Sequence, residues 1–159
     1  MNLNGAKLIV KNMPPASNAL ISCSPGCGVI SMLEDYAKED GLEYYYIRLS
    51  QMTVADIVGL EYKDVDLSTG KITPIRATPD YWPRDPNSRG ILVFDEVNRA
   101  TVDVINAIFL ATAYRRVNDL DIPTGWKIIL RTSEDLSTMR IDPYILLDRF
   151  YFVAMIDRF

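Results

Sequence analysis

The apolar positions of this chain change period from one stretch to the next, and each change marks an element. Residues 19–23 and 91–94 are short apolar runs of strand length, the pattern of strands buried on both faces of a parallel sheet. Residues 126–130 and 151–156 repeat the pattern, and 42–49, rich in Tyr and Ile, predicts one more strand. Between these runs the period lengthens to that of a helix. Ile30, Leu33 and Ala37 share a stripe over 29–38, with Gly41 as C-cap. Val104, Ile105, Ile108, Phe109 and Ala113 share another over 102–117, with Thr101 as N-cap. Thr53 caps a short helical turn toward Gly59, and Pro143 opens a short helix over 144–148.

The remaining stretches are smaller. Alternation over 61–76 around Ser68, Thr69, Gly70 and Lys71 predicts a β-hairpin. Residues 6–10 read as a short strand or arm ahead of a loop over 12–17, so 1–18 is expected to be an N-terminal arm. Pro79, Pro83 and Pro86 make 78–89 a loop. Its Tyr81 and Trp82 either dock a partner or fold back over an edge of the core. Tyr44, Tyr45 and Tyr46 read as a core strand rather than a platform for stacking a base. Strands alternating with helices predict a parallel sheet covered by helices, in a single domain over 1–159.

Composition narrows the chemistry. The chain has 159 residues, 48% hydrophobic and 24% charged, enough for one domain with a real core. It has no histidine, which excludes a Ser-His-Asp triad, a Cys-His pair and histidine metal sites. Cys23 and Cys27 alone cannot build a structural zinc site. The net charge of −4 argues against broad nucleic-acid binding, although Arg115, Arg116, Arg131 and Arg140 could form a local basic patch. No signal-peptide core and no membrane-length apolar run is present, so the expectation is a cytoplasmic protein with reduced thiols.

The richest stretch is Gly90-Ile-Leu-Val-Phe-Asp-Glu-Val-Asn-Arg-Ala100. A buried strand of this kind delivers Asp95 and Glu96 to the carboxyl edge of a sheet, where open α/β folds keep their sites. One carboxylate there can hold magnesium through water, and the next can polarise an attacking water. Arg99, at the following helix start, either contacts a neighbouring subunit or pairs locally with Glu96 or Asp103.

The first strand-turn-helix is where a phosphate cradle belongs, with backbone amides facing the phosphates at a helix N-terminus. Pro25, Gly26, Cys27 and Gly28 supply such a turn. The working side chains are missing: Val29 stands at the lysine position and Ile30 at the Ser/Thr position. One lysine-phosphate contact is worth about 1.5–3 kcal/mol, so its loss weakens nucleotide binding by roughly ten- to over a hundred-fold. Ser31 is rotated by about 100° along the helix and does not simply replace the lost ligand. The turn serves either close strand-helix packing or residual nucleotide binding. Cys27 reads as an inert thiol, since the sequence shows no base or resolving partner for it.

With these segments in hand, the chain resembles the core of a MoxR-like AAA+ ATPase from about Ala19 to Phe159. The stretch from Gly90 to Ala100 looks like that group's Walker B strand and Asn-Arg-Ala helix start. Asp56 to Leu60, Gly70 to Ile75, Ile122 to Trp126 and Leu146 to Phe150 look like its other characteristic segments. The resemblance implies a three-layer α/β/α P-loop NTPase fold, with a mostly parallel five-stranded sheet in the order 5-1-4-3-2 and an inserted β-hairpin. It implies that Asp95 binds magnesium, that Glu96 is the catalytic base, and that Arg149 is an arginine finger given to a neighbouring subunit. The family's sensor asparagine falls near Thr132 and Ser133, and Ser133 could hydrogen-bond a water there. The family's helical lid domain is expected to be absent, since the chain stops at Phe159.

The functional expectation is a degenerate MoxR-like AAA+ domain. It would be a pseudo-ATPase or weak nucleotide binder, with ATP and magnesium binding weakened or lost, acting through a protein partner or self-assembly. The alternatives are a genuine ATP-hydrolysing protein and a nucleic-acid-associated module.

Overall fold

The computed structural model of the protein describes residues 1–133, 142, 150 and 152–156. The expected helix over 144–148, Arg140 and Arg149 lie outside the described residues.

Chain order gives α1 (Leu3–Asn12), β1 (Asn18–Cys23), α2 (Val29–Glu39), β2 (Glu43–Arg48), α3 (Val54–Val58), β3 (Leu60–Val65), β4 (Ile72–Ala77), β5 (Gly90–Asp95), α4 (Val102–Tyr114), β6 (Arg116–Val117), β7 (Leu120–Asp121), β8 (Trp126–Thr132) and β9 (Phe152–Ile156). The central sheet has five strands in the order β2-β5-β8-β1-β9, all paired in parallel. That is the α/β architecture and strand order expected of a P-loop ATPase-like fold. β3 and β4 form the separate antiparallel hairpin, with Leu60 opposite Ala77 and Val65 opposite Ile72.

Two apolar layers flank the sheet because side chains alternate along each strand. Leu20, Leu92, Phe94, Ile128 and Leu130 point one way and pack against Val104, Ile105, Ile108 and Phe109 of α4. Ala19, Ile21, Ile91, Val93 and Ile129 point the other way and pack against Val29, Leu33, Tyr36 and Ala37 of α2. β1 and β5 are buried along their whole length, which explains their unbroken apolar runs.

Several expectations need correction. The N-terminal arm is a helix. Asn2 caps it by accepting from the Gly5 amide at 2.9 Å, and Ala6, Val10 and Met13 form a buried stripe on the α2 layer. The tyrosine strand β2 lies at the sheet edge rather than in the core, so Tyr45 and Tyr46 are 39% and 37% exposed. Helix α4 stops at Tyr114, where Arg115 takes a left-handed conformation (φ 50°) and turns the chain into the β6-β7 hairpin. Of the two readings for Tyr81 and Trp82, folding back over the core holds for Trp82. It is fully buried, packs 5.5 Å from Phe94 between ring centroids, and donates its indole N–H to the Ile57 carbonyl at 2.8 Å.

Among the described residues, Arg115, Arg116 and Arg131 do not gather into a basic patch. Arg115 is turned inward, its guanidinium donating to Asn18 Oδ1 at 3.2 Å and to the carbonyls of Pro123 and Trp126 at 3.0 and 2.8 Å. Arg116 pairs with Asp121 at 3.4 Å, and Arg131 is buried.

Candidate functional site

The site lies on the carboxyl edge of the sheet, on the α2 face. Strand alternation places Tyr46 two residues past Tyr44, Asp95 past Val93, Arg131 past Ile129 and Cys23 past Ile21, and all four precursors belong to the α2 layer. The sheet order β2-β5-β8-β1 therefore sets Tyr46, Asp95, Arg131 and Cys23 side by side. They are bonded in that order. Tyr46 donates its hydroxyl to Asp95 Oδ2 at 2.7 Å, and Arg131 Nη1 donates to Asp95 Oδ1 at 2.9 Å. Arg131 Nε–H points at Cys23 Sγ at 3.5 Å. The Glu96 amide adds a further bond to Asp95 Oδ1 at 2.7 Å.

Asp95 is only 4% exposed and Arg131 8%, so each is the other's principal compensation. Burial works against the Arg131 charge, but its bond to Cys23 and then its bond to the Asp95 carboxylate outweigh it and raise its pKa further. The Tyr46 hydroxyl is raised by burial and by its bond to Asp95. Cys23 is pushed up to about 11, chiefly by burial and then by the neighbouring Cys27 thiol.

Glu96 faces a different set of groups. Its backbone is left-handed (φ 57°), an uncommon conformation for a non-glycine residue. Its carboxylate accepts from the Ser50 hydroxyl and lies 3.8 Å from Arg48 Nε and 3.9 Å from Arg99 Nη1. Arg99 forms the local pair with Glu96. Asn98 and Ser133 bond to each other, Asn98 Nδ2 to Ser133 Oγ at 3.4 Å and the Ser133 amide to Asn98 Oδ1 at 3.3 Å.

The turn has the shape of a phosphate loop. Gly26 and Gly28 sit at φ 75° and 86°, and the Cys27 amide closes it on the Ser24 carbonyl at 3.2 Å. Gly28 caps α2 with no side chain on its first-turn amides. Val29, at the lysine position, is 1% exposed and packs into the α2 layer; Ile30 packs against it as well. A cavity of about 310 Å³ lies against the loop, lined by residues 26–31 and by Arg131. Asp95, Glu96 and Ser133 do not line it.

These residues do not fit a loop-bound magnesium ion. Both Asp95 oxygens are already hydrogen-bonded, the nearest cation is a fixed guanidinium that would repel a metal, and Ile30 offers no hydroxyl. Among the described residues, no group of three or more Cys, Asp or Glu could hold a metal. A phosphate group fits better, because the loop and the Arg131 cation face one cavity. Sequence reasoning placed the turn and the acidic pair. It missed Arg131, whose signal was its register: two residues past Ile129, on the same face as Asp95 and Cys23.

No family model matches the chain, and no curated protein sequence is similar to it. Its fold is similar to the crystal structure of a protein from Cytophaga hutchinsonii described as a "putative ATPase", with a TM-score of 0.64 and 13% identity. The alignment covers 96% of this chain and 45% of that one, so the chain spans less than half the length of its structural neighbour. The likeness is one of fold. Among the described residues, no helix is long and apolar enough to cross a membrane.

Proposed function

We propose that this chain is a MoxR-like AAA+ domain that no longer hydrolyses ATP and acts by associating with protein, a cytoplasmic pseudo-ATPase. One observation carries the reading: the Arg131 guanidinium sits 2.9 Å from the Asp95 carboxylate, where the family's magnesium ion would be attracted. An arginine there supplies positive charge permanently, without nucleotide. It cannot bridge the β- and γ-phosphates and hand charge to a leaving group as a bound metal does. The pairing of Glu96 with Ser50, Arg48 and Arg99 supports the same reading, because a general base needs its lone pairs directed at a water. Arg149, as a finger, would then have no transition state to stabilise.

Association is supported by the β3-β4 hairpin. Leu60, Tyr62 and Leu67 are 68%, 51% and 95% exposed, an apolar surface with little reason to face water alone. A second reading, a domain that binds ATP without a metal, draws on Arg131 lining the same cavity as the loop. The nucleic-acid reading loses support from the inward turn of Arg115 and Arg131.

A phosphate-release assay tests the proposal. With magnesium and millimolar ATP, the natural protein and Glu96→Gln should both stay at buffer background. Turnover that Glu96→Gln abolishes would overturn it.

A further inference from the structure

The β3-β4 hairpin stands apart from the main sheet, and among the described residues its strands pair only with each other. A lone two-stranded ribbon is marginal in water, and further strands beside it add the stability it lacks. Side-chain alternation puts Leu60 and Tyr62 on one face with Ile75 and Ala77, and Glu61 and Lys63 on the other with Pro74 and Arg76. The Asp66 amide donates to the Lys71 carbonyl at 2.9 Å, so the backbone groups of residue 66 face β4, and by alternation those of 64, 62 and 60 do too. The amides and carbonyls of Glu61, Lys63 and Val65 therefore point away from β4, along an open edge. The opposite edge of the hairpin is guarded. Pro74 pairs with Lys63, so its backbone faces outward on β4, where it has no N–H to give.

We propose that β3 is a self-association edge: it pairs with β3 of a second copy of this chain, antiparallel about a two-fold axis at Tyr62, into a four-stranded sheet ordered β4-β3-β3-β4. The proposal rests on the association half of the reading above and not on its ATP half.

Charge selects the second copy and the register. A two-fold axis perpendicular to the hairpin keeps each face on its own side, so the axis must pass through a residue that meets itself. Centred on Glu61, Lys63 or Asp64, the pairing sets like charges directly opposite, which destabilises a sheet. Centred on Tyr62, it sets Glu61 opposite Lys63 of the second copy at both ends. Glu61 and Lys63 both have outward backbone groups, so each opposed pair exchanges two backbone hydrogen bonds. Lys63 has no ion-pair partner among the described residues, and Glu61 already lies 3.1 Å from Arg76. Pairing would complete a charged row of Arg76, Glu61 and Lys63 of the second copy. On the other face the two Tyr62 rings meet at the axis as a closely spaced, non-hydrogen-bonded pair, flanked by Ile75 of each copy. The exposed Leu60 and Tyr62 then belong to one continuous surface.

Sedimentation equilibrium of the natural protein, Glu61→Lys and Lys63→Glu, without nucleotide, tests this. The natural protein should be a dimer. Each reversal sets like charges opposite at both ends and should weaken dimerisation by about tenfold or more. An equal mixture of the two variants should recover the dimer, because every 61–63 pair between them is again of opposite charge. The proposal is overturned if the natural protein is a monomer up to millimolar concentration, if its association survives either reversal, or if the mixture stays monomeric. A monomeric natural protein would leave open association with a different protein, and phosphate release would still decide the ATP half. If a reversal fails to fold, Tyr62→Cys decides: under mild oxidation it should cross-link to itself through residue 62, and a chain that stays monomeric on non-reducing electrophoresis overturns the proposal.

Discussion

Asp95 and Arg131 have side chains 5% and 10% exposed, and each keeps the other from being an isolated buried charge. Removing one partner strands the other, so Asp95→Ala or Arg131→Met should each cost about 3–5 kcal/mol in urea unfolding. The double variant should lose clearly less than the sum, because it leaves no orphan charge. Strict additivity would mean that the two groups do not depend on each other. Cys23 adds a pH dependence at the same scale. Its pKa is raised from 9.0 to about 11 in the folded protein, first by burial and then by Cys27. As pH rises the unfolded chain gives up this proton first. The stabilisation is therefore complete below about pH 9 and is lost as pH passes through about 11, on the order of 2 kcal/mol in all. Urea titrations across that window should fall less steeply for Cys23→Ala than for the natural protein. Equal slopes would show that the thiol titrates alike in both states.

At the scale of elements, Trp82 ties the proline-rich loop to the core by its indole bond to Ile57 and its packing on Phe94. Trp82→Ala should cost about 3–5 kcal/mol, and a melting point within a degree or two of the natural protein's would contradict that anchoring role. The sequence left this residue undecided because its burial depends on a helix, α3, that holds Ile57 beneath it, and no local period reports that. Elements whose pattern is local were legible: β1, β5 and α2 follow from apolar runs and a helical stripe alone. The strand order came with the family resemblance, since periodicity carries no information about neighbours. Helix α1 was misread because Leu8 and Ile9 fill its outer positions with apolar side chains and blur the stripe of Ala6 and Val10, and Leu8 is 63% exposed. Tyr44 to Tyr46 were read as core because aromatic content signals a strand but not whether that strand sits at an edge. The Arg131–Asp95 pair spans 36 residues and was visible only once the strands were in register.

At the scale of the molecule, a parallel sheet brings four strand ends to one edge, and here those ends neutralise each other. The ATPase-like fold supplies the loop, the acidic strand and the helix N-terminus. Asp95 stands in an ion pair with Arg131, tied to Tyr46 on one side and to Cys23 on the other. Lysine cannot simply be restored at Val29, since that position now faces the core. A domain of this kind should gain nothing from magnesium when it meets ATP. Calorimetric titration of the natural protein with ATP, once with magnesium and once with a chelator, measures it directly. No saturable heat from magnesium-ATP is expected below about millimolar, and any weak ATP binding should be no tighter with the metal than without it. A micromolar dissociation constant that requires magnesium would contradict it, because Asp95 would then be releasing Arg131 to take a cation.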